Sequence, residues 1–260
     1  MKGFELEIKG LKFNPPRASA KGVLQGVNFK IKSGEFVTFI GQNGHGKSSI
    51  FKAISGELNH TSGLVKVGGK EISDSIHRVH NGVGIVHQYV QDDLIKELSI
   101  IKNIQIRQLF SNDKEVRKDA NDSGWLTKIN TRISQFLSSG DNLNNDTLVD
   151  ELSGGQRQLL NVLIALELEH FAETKCRLLL LDEHLTSLDV LVQKKVMNLI
   201  KQIISEFDFK PTILMITHDF QYAVDYSDKI IVIKDGKVKE TIRKSNTNKW
   251  NIDYLIKAIA

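Results

Sequence analysis

An apolar run, Phe36-Val37-Thr38-Phe39-Ile40, leads directly into Gly41-Gln42-Asn43-Gly44-His45-Gly46-Lys47-Ser48. No other feature restricts the fold as much. The run has the continuous apolar character of a buried central strand. The glycines after it let backbone N–H groups turn inward around a β-phosphate at the start of a helix. In that loop Lys47 is placed to reach β/γ oxygens, and Ser48 offers a hydroxyl to Mg²⁺. His45 is read as an exposed turn residue.

The rest of the chain repeats this strand character. Phe4-Glu5-Leu6-Glu7-Ile8 and Val27-Asn28-Phe29-Lys30-Ile31 alternate apolar and polar, which predicts half-buried antiparallel strands. Val83 to Val86, Leu178 to Leu181, Ile213 to Ile216 and Ile230 to Ile233 predict buried strands with helical stretches between them, an α/β core. Val192, Val196, Leu199, Ile200, Ile203 and Ile204 keep helical spacing, giving a helix expected to cover one sheet face. Between about Tyr89 and Glu173 the pattern changes. Leu98, Ile101 and Ile104 are helically spaced, a polar stretch runs from Ser111 to Ser123, and Asp141 to Asp146 reads as an exposed loop. This segment is expected to be a helical subdomain inserted into the core. Trp250, Ile252, Leu255, Ile256 and Ile259 predict a terminal helix docked on its own core rather than on lipid.

Composition excludes several classes. With 260 residues, 40% of them hydrophobic, the chain can bury a proper core. Its 35 basic and 31 acidic residues balance to +4 without a basic block, so no nucleic-acid partner is expected. A lone Cys176, between Lys175 and Arg177, excludes an internal disulfide and is assigned no role. The start Met1-Lys2-Gly3-Phe4-Glu5 has acids where a secretory signal would be apolar, and the longest aliphatic run, Leu178 to Leu181, is too short to cross a bilayer. A soluble protein is expected, with peripheral membrane association at most.

Two further stretches carry chemistry. Leu178-Leu179-Leu180-Leu181-Asp182-Glu183 ends an apolar strand in two carboxylates, the first placed to hold Mg²⁺ and the second to polarise an attacking water. Leu152-Ser153-Gly154-Gly155-Gln156 is a second Gly-rich, hydroxyl-bearing loop. It opens a helix whose apolar face includes Leu159, Leu163 and Leu166, and a helix N-terminus attracts anions.

In this order the three stretches resemble the ATP-binding cassette family, and the resemblance extends from the first strand to about Ile242. It implies a P-loop NTPase core with a mixed sheet, an antiparallel β subdomain and an inserted helical signature subdomain. All of this forms one ATPase domain over 1–260: core and antiparallel strands about 1–88 and 174–242, helical subdomain about 89–173, and terminal helix about 247–260. ATP and Mg²⁺ are the implied cofactors. Gly41, Asn43, Gly44, Gly46, Lys47, Ser48 and Ser49 match the nucleotide loop. Phe13, followed by Asn14-Pro15-Pro16 in a long hairpin, is the candidate adenine platform, a core phenylalanine being the other reading. Glu183 matches the catalytic base. His218, in Ile216-Thr217-His218-Asp219, matches the switch histidine, and Gln88, after Gly84-Ile85-Val86-His87, matches the Q-loop. Ser48, Gln88 and Asp182 are the implied metal contacts.

Ser153, Gly154, Gly155 and Gln156 match the signature loop that faces nucleotide on the other protomer, so a second cassette, as a homodimer, is implied. Ser187-Leu188-Asp189 resembles the D-loop, and Asp189 also suits a helix cap. The chain departs from the family at His184-Leu185-Thr186-Ser187, where Pro and then Thr-Ser-Ala are usual; this bears on the D-loop's geometry. Importer cassettes match best. The implied partners are multispanning permease subunits and an extracytoplasmic solute-binding protein, which would place the chain on the cytoplasmic face of the plasma membrane. The alternative is a soluble cassette ATPase that drives assembly of a cytosolic complex such as an iron–sulfur scaffold.

Overall fold

The computed structural model describes residues 2–15, 22–59, 61–72, 82–89, 91, 93–109, 131, 146–171, 176–186, 188–206 and 208–260. Pro16, the polar stretch from Ser111 to Ser123, Asp141 to Asn145 of the expected loop, and Ser187 lie outside the described residues. The chain forms two units. One comprises Met1–Ile85, Arg177–Glu183 and Phe209–Ala260; the other comprises Val86–Cys176 and His184–Asp208.

In the first unit, alternation builds an antiparallel sheet. Strand β1 (Leu6–Phe13) pairs with β2 (Leu24–Ile31) on one side and β4 (Ser62–Val67) on the other, and β5 (Lys70–Glu71) completes the order β2-β1-β4-β5. The strand expected over Phe4 to Ile8 thus starts later and runs further. Its alternation breaks at a bulge between Ile8 and Leu11, where Gly10 takes a φ of 59°. The extra residue restores Leu11 to the buried face, which strict period 2 would have given to Gly10.

A second sheet has the order β10-β9-β3-β8-β7-β6, from β3 (Phe36–Ile40), β6 (Val83–Val86), β7 (Leu178–Asp182), β8 (Thr212–Ile216), β9 (Lys229–Lys234) and β10 (Lys237–Arg243). Strand β3 pairs in parallel with β8 and β9, and β7 in parallel with β8, whereas β10 returns antiparallel on β9, so the sheet is mixed. The parallel strands are buried along their length, as their unbroken apolar runs require. Both sheets and helix α1 (Lys47–Ile54) share one core, in which Phe39 meets Phe29 and Phe51 edge-on at centroid distances of 5.3 and 5.6 Å. A second cluster joins Ile40, Ile230 and Val232 to Ala223 of α5 (Phe220–Tyr226) and to Leu255 and Ala258 of α6 (Ile252–Ile259). The terminal helix therefore docks on its own core, as its spacing predicts, with Asn251 Oδ1 capping it through the Tyr254 N–H.

The second unit is helical, with α2 (Ile100–Leu109), a short 3₁₀ turn (Val149–Glu151), α3 (Gly154–Phe171) and α4 (Val190–Ser205). Helix α3 packs on both α2 and α4. Leu159, Leu163 and Leu166 are buried as expected, as are Val196, Leu199, Ile200 and Ile203 of α4; Val192 and Ile204 are only partly so. Buried Asn103 ties the turn before α2 to the helix, accepting from the Ile95 N–H at 2.7 Å and donating to the carbonyls of Ile95, Leu98 and Ser99. Among the described residues, no helix is long and apolar enough to cross a membrane.

A buried ion pair fastens β9 in the first unit. Lys229 Nζ, almost fully buried, bonds Glu35, which also accepts from the Lys32 N–H at 2.8 Å and from Arg243 Nη1 at 3.3 Å. Burial pushes the Glu35 pKa up, but these donors outweigh it and hold the carboxyl below its ordinary value. The folded pKa is the lower one, so the stabilisation is complete above the ordinary value of 4.5 and is lost as pH falls through the folded value. Glu35→Gln is expected to cost on the order of 3 kcal/mol at neutral pH by leaving Lys229 buried without a counter-charge. Thermal melts of both proteins across pH 7 to 3 check this, and their difference should shrink toward the acid end.

Candidate functional site

The phosphate loop begins at the end of β3, hard against Ile233 of β9. A Cβ at Gly41 would lie 2.2 Å from the Ile233 carbonyl oxygen, so only glycine lets the chain leave the sheet there. At the other end Gly46, with φ 95°, is the N-cap of α1 and has no side chain to cap it, and the first turn of the helix contains no acid. The first N–H groups of α1 thus lack a side-chain acceptor from the cap, the arrangement that receives an anion. Lys47 is buried, and its Nζ donates to the carbonyls of Gly41 at 2.9 Å and Gln42 at 3.0 Å, closing the loop on itself. Desolvation pushes the Lys47 pKa down, opposed by the charges of Glu183 and Asp182. Asn43 and Gly44 are exposed at the tip, and Ser48 and Ser49 are half-buried in the first helical turn. Phe13, at the end of β1, is partly buried against the core, so both readings of it keep a physical basis.

Two strand ends meet beside this loop. Ser48 Oγ donates to Asp182 Oδ1 at 3.3 Å, which joins the last residue of β7 to the start of α1. The hydroxyl and carboxylate so placed are the hard oxygen donors a Mg²⁺ site uses. Asp182 lies opposite Ile216 in the ladder, and the Glu183 N–H donates to the Ile216 carbonyl at 3.1 Å, one step beyond the strand. Glu183 then takes a φ of 45°, left-handed backbone that a non-glycine residue seldom adopts. Its carboxylate oxygen Oε1 lies 3.0 Å from His218 Nε2. The backbone after β8 is fixed in turn, because Asp219 Oδ1 accepts from Gln221 N and Tyr222 N and caps α5. Lys47, Ser48, Asp182, Glu183 and His218 are thus brought together.

The second unit holds the other site residues. Ser153 and Gln156 form a reciprocal capping box on α3: Gln156 Oε1 accepts from Ser153 N at 2.8 Å, and Ser153 Oγ accepts from Gln156 N at 3.2 Å. Gly155 has a packing reason, since a Cβ there would lie 2.5 Å from Val192 Cγ1 of α4, whereas a Cβ at Gly154 would meet nothing within 4 Å among the described residues. Asp189 caps α4, its Oδ1 accepting from Leu191 N and Val192 N at 3.0 Å each. The unusual Leu185 is buried, and Gln193 Nε2 pins the turn by donating to the carbonyls of Leu185 and Leu188 at 3.1 and 2.9 Å. His184 is 2% exposed, neither ring nitrogen has a partner among the described residues, and desolvation pushes its pKa down to about 3, so the ring is neutral. Gln88 is half-buried just after β6.

Beside Gln88 lies a group the sequence reading missed. Asp93, with its side chain 1% exposed, accepts from His87 N at 2.8 Å and Asn161 Nδ2 at 2.7 Å, and bonds His87 Nδ1 at 2.7 Å. The one sequence signal was Asn161, a polar residue inside the apolar run Leu159 to Ile164.

This geometry defines a nucleotide-binding ATPase, and comparison with known proteins places it among relatives. The ABC transporter family profile matches residues 24–186. The chain is 32% identical over 223 residues to the petrobactin import ATP-binding protein FpuC of Bacillus anthracis, covering 83% of this chain and 74% of that one. It is 31% identical over 231 residues to the phosphonates import ATP-binding protein PhnC of Lactococcus lactis subsp. lactis, covering 83% and 84%. The solved dimeric post-hydrolysis state of the ATP-binding cassette MJ0796, bound to ADP and Pi, superposes with a TM-score of 0.71 at 25% identity, covering 92% of this chain and 98% of that one. The chain belongs to the ABC transporter family, as an importer-like ATPase subunit.

Because Lys47 both closes the loop and carries the charge aimed into it, Lys47→Ala is expected to weaken ATP binding by about 30-fold or more, the loss of roughly 2 kcal/mol from one charge-assisted contact. Titration with a fluorescent ATP analogue measures it.

Proposed function

We propose that this chain is the ATP-hydrolysing engine of a solute importer, working as two copies that enclose ATP between them and pull on separate membrane-spanning permease subunits. The observation that carries this reading is the pairing of Glu183 with His218 at 3.0 Å beside the Ser48–Asp182 contact. In the proposed reaction Glu183 accepts a proton from water as the water oxygen attacks the γ-phosphorus, the bond to the β-phosphate oxygen breaks, and ADP and phosphate form. His218 fixes the Glu183 carboxylate and bonds the γ-phosphate. Lys47 and the backbone N–H groups of Gly44, Gly46 and Ser48, with Asn43 and Ser49 beside them, cradle the phosphates. Phe13 offers the exposed part of its ring to adenine. Ser48 and Asp182 would hold Mg²⁺, which supplies charge stabilisation at the phosphoryl oxygens when bound.

The second half of the reading rests on Ser153, Gly154, Gly155 and Gln156. Among the described residues Gly154 meets no neighbour that would exclude a side chain, so a glycine there suits close backbone approach to something from outside. A nucleotide on a second copy is the proposed occupant. Val190 and Leu191, large apolar residues exposed beside Asp189, suit the same interface. Gln88 is the proposed hinge to the permease, and an extracytoplasmic solute-binding protein completes the system, with this chain held peripherally at the cytoplasmic membrane face. The relatives named above are import ATP-binding proteins, which favours transport over the assembly of a soluble complex.

Glu183→Gln keeps the shape of the site but removes the proton acceptor. Its ATP affinity should stay within about twofold while turnover falls on the order of 100-fold or more; normal steady-state hydrolysis would rule Glu183 out as the base. Ser153→Arg, placed in the Glu183→Gln background, should abolish the ATP-dependent dimer seen by light scattering and leave ATP binding by the monomer intact. An unchanged dimer would exclude the enclosed-nucleotide arrangement.

A further inference from the structure

We propose that His87, Asp93 and Asn161 form a positioning clamp that fixes the loop carrying Gln88 to helix α3, so that Gln88 and Ser153 hold one geometry through the ATPase cycle. Asp93 grips His87, the residue just before Gln88, through main chain and ring alike, at 2.8 and 2.7 Å. A carboxylate only accepts, so this contact selects the tautomer with the proton on Nδ1. The same carboxylate accepts from Asn161 Nδ2 at 2.7 Å, across 68 residues of sequence. Asp93 is therefore a shared anchor between the Gln88 loop and α3.

Asn161 shows why this is a device rather than incidental packing. Its residue is fully buried, its neighbours on the helix are Leu160 and Val162, and its Oδ1 has no partner among the described residues. A buried amide with an unused acceptor is less favourable there than an aliphatic side chain of the same size. What the asparagine adds is the bond to Asp93. Asn161 stands eight residues along α3 from Ser153, about 12 Å of rigid helix at 1.5 Å per residue. A fixed Asn161 thus fixes the end of the helix that presents the signature loop. None of the three residues is assigned a contact with nucleotide, so they are positioning residues. The inference rests on the roles proposed above for Gln88 and Ser153.

The test uses the purified full chain and measures ATP affinity, kcat and thermal midpoint together. Asn161→Leu removes the bond while keeping volume; kcat should fall about tenfold and ATP Kd stay within about twofold, the size expected for loss of one coupling contact. Asp93→Asn keeps an oxygen that accepts from both the His87 N–H and Asn161 Nδ2, while its amide nitrogen donates to the His87 ring in the other tautomer, and should hold kcat to within about threefold of native. Asn103→Leu deletes another buried amide of the same unit, one whose bonds go to Ile95, Leu98 and Ser99. Compared at a similar loss of thermal midpoint, it should leave kcat within about twofold. If Asn161→Leu does not fold, Asn161→Ala removes the same bond with less bulk and carries the same expectations. Native kcat in the Asn161 variants, an equal loss in Asn103→Leu, or a tenfold loss of kcat in a folded Asp93→Asn would each overturn the clamp. Glu183→Gln, assayed alongside, separates the two ideas: turnover retained there sinks the functional reading, whereas turnover lost there with Asn161→Leu at native kcat sinks the clamp alone.

Discussion

Parallel strand pairing in register is the interaction on which the site depends. Phe39 of β3 and Asp182 of β7 both lie opposite Ile216 of β8, so three strands deliver their carboxyl ends to one edge of the sheet. The chain leaving each strand then starts from the same place. Gly41, Glu183 and Thr217 become neighbours although long stretches of sequence separate them, and Lys47, Asp182, Glu183 and His218 gather there. The apolar strands that enforce this register are buried on both faces, and a slip by one residue would turn every side chain to the opposite face.

The backbone adds what pairing leaves open. At Glu183 the ladder continues for one more hydrogen bond to Ile216, after which the chain turns through a left-handed conformation. Such a conformation costs on the order of 1 kcal/mol or more in a non-glycine residue. Here it sits at the residue whose carboxylate meets His218. Local strain and the contact with His218 coincide at one position, and the ladder on one side with the capped helix after Asp219 on the other hold it there.

Much of this was legible in the residues because it is written in contiguous stretches. Phe36 to Ile40 and Val83 to Val86 have the predicted limits, since a fully buried strand needs an unbroken apolar run. Strands β4, β5 and β10 were not foreseen. Lys237-Val238-Lys239-Glu240-Thr241-Ile242-Arg243 lies at the edge of its sheet and buries little beyond Ile242, so its pattern is mostly polar. The extension of β1 was hidden by the bulge that breaks its alternation. Within the site, the motif residues could be named because their spacing is local, whereas the Asp93 contacts to His87 and Asn161 join distant segments and leave no periodic trace. His184 was recognisable as a departure, but its burial as a neutral ring depends on tertiary surroundings.

Completion of the hydrolytic site at the strand ends by a second copy of the chain is the claim on which the proposed mechanism turns. Specific ATPase activity measured against protein concentration, at saturating ATP, tests it most directly. Turnover per chain should be very low in dilute solution, rise steeply with concentration and level off as the paired form saturates. A constant turnover per chain across that range, with light scattering reporting a monomer throughout, would contradict the claim.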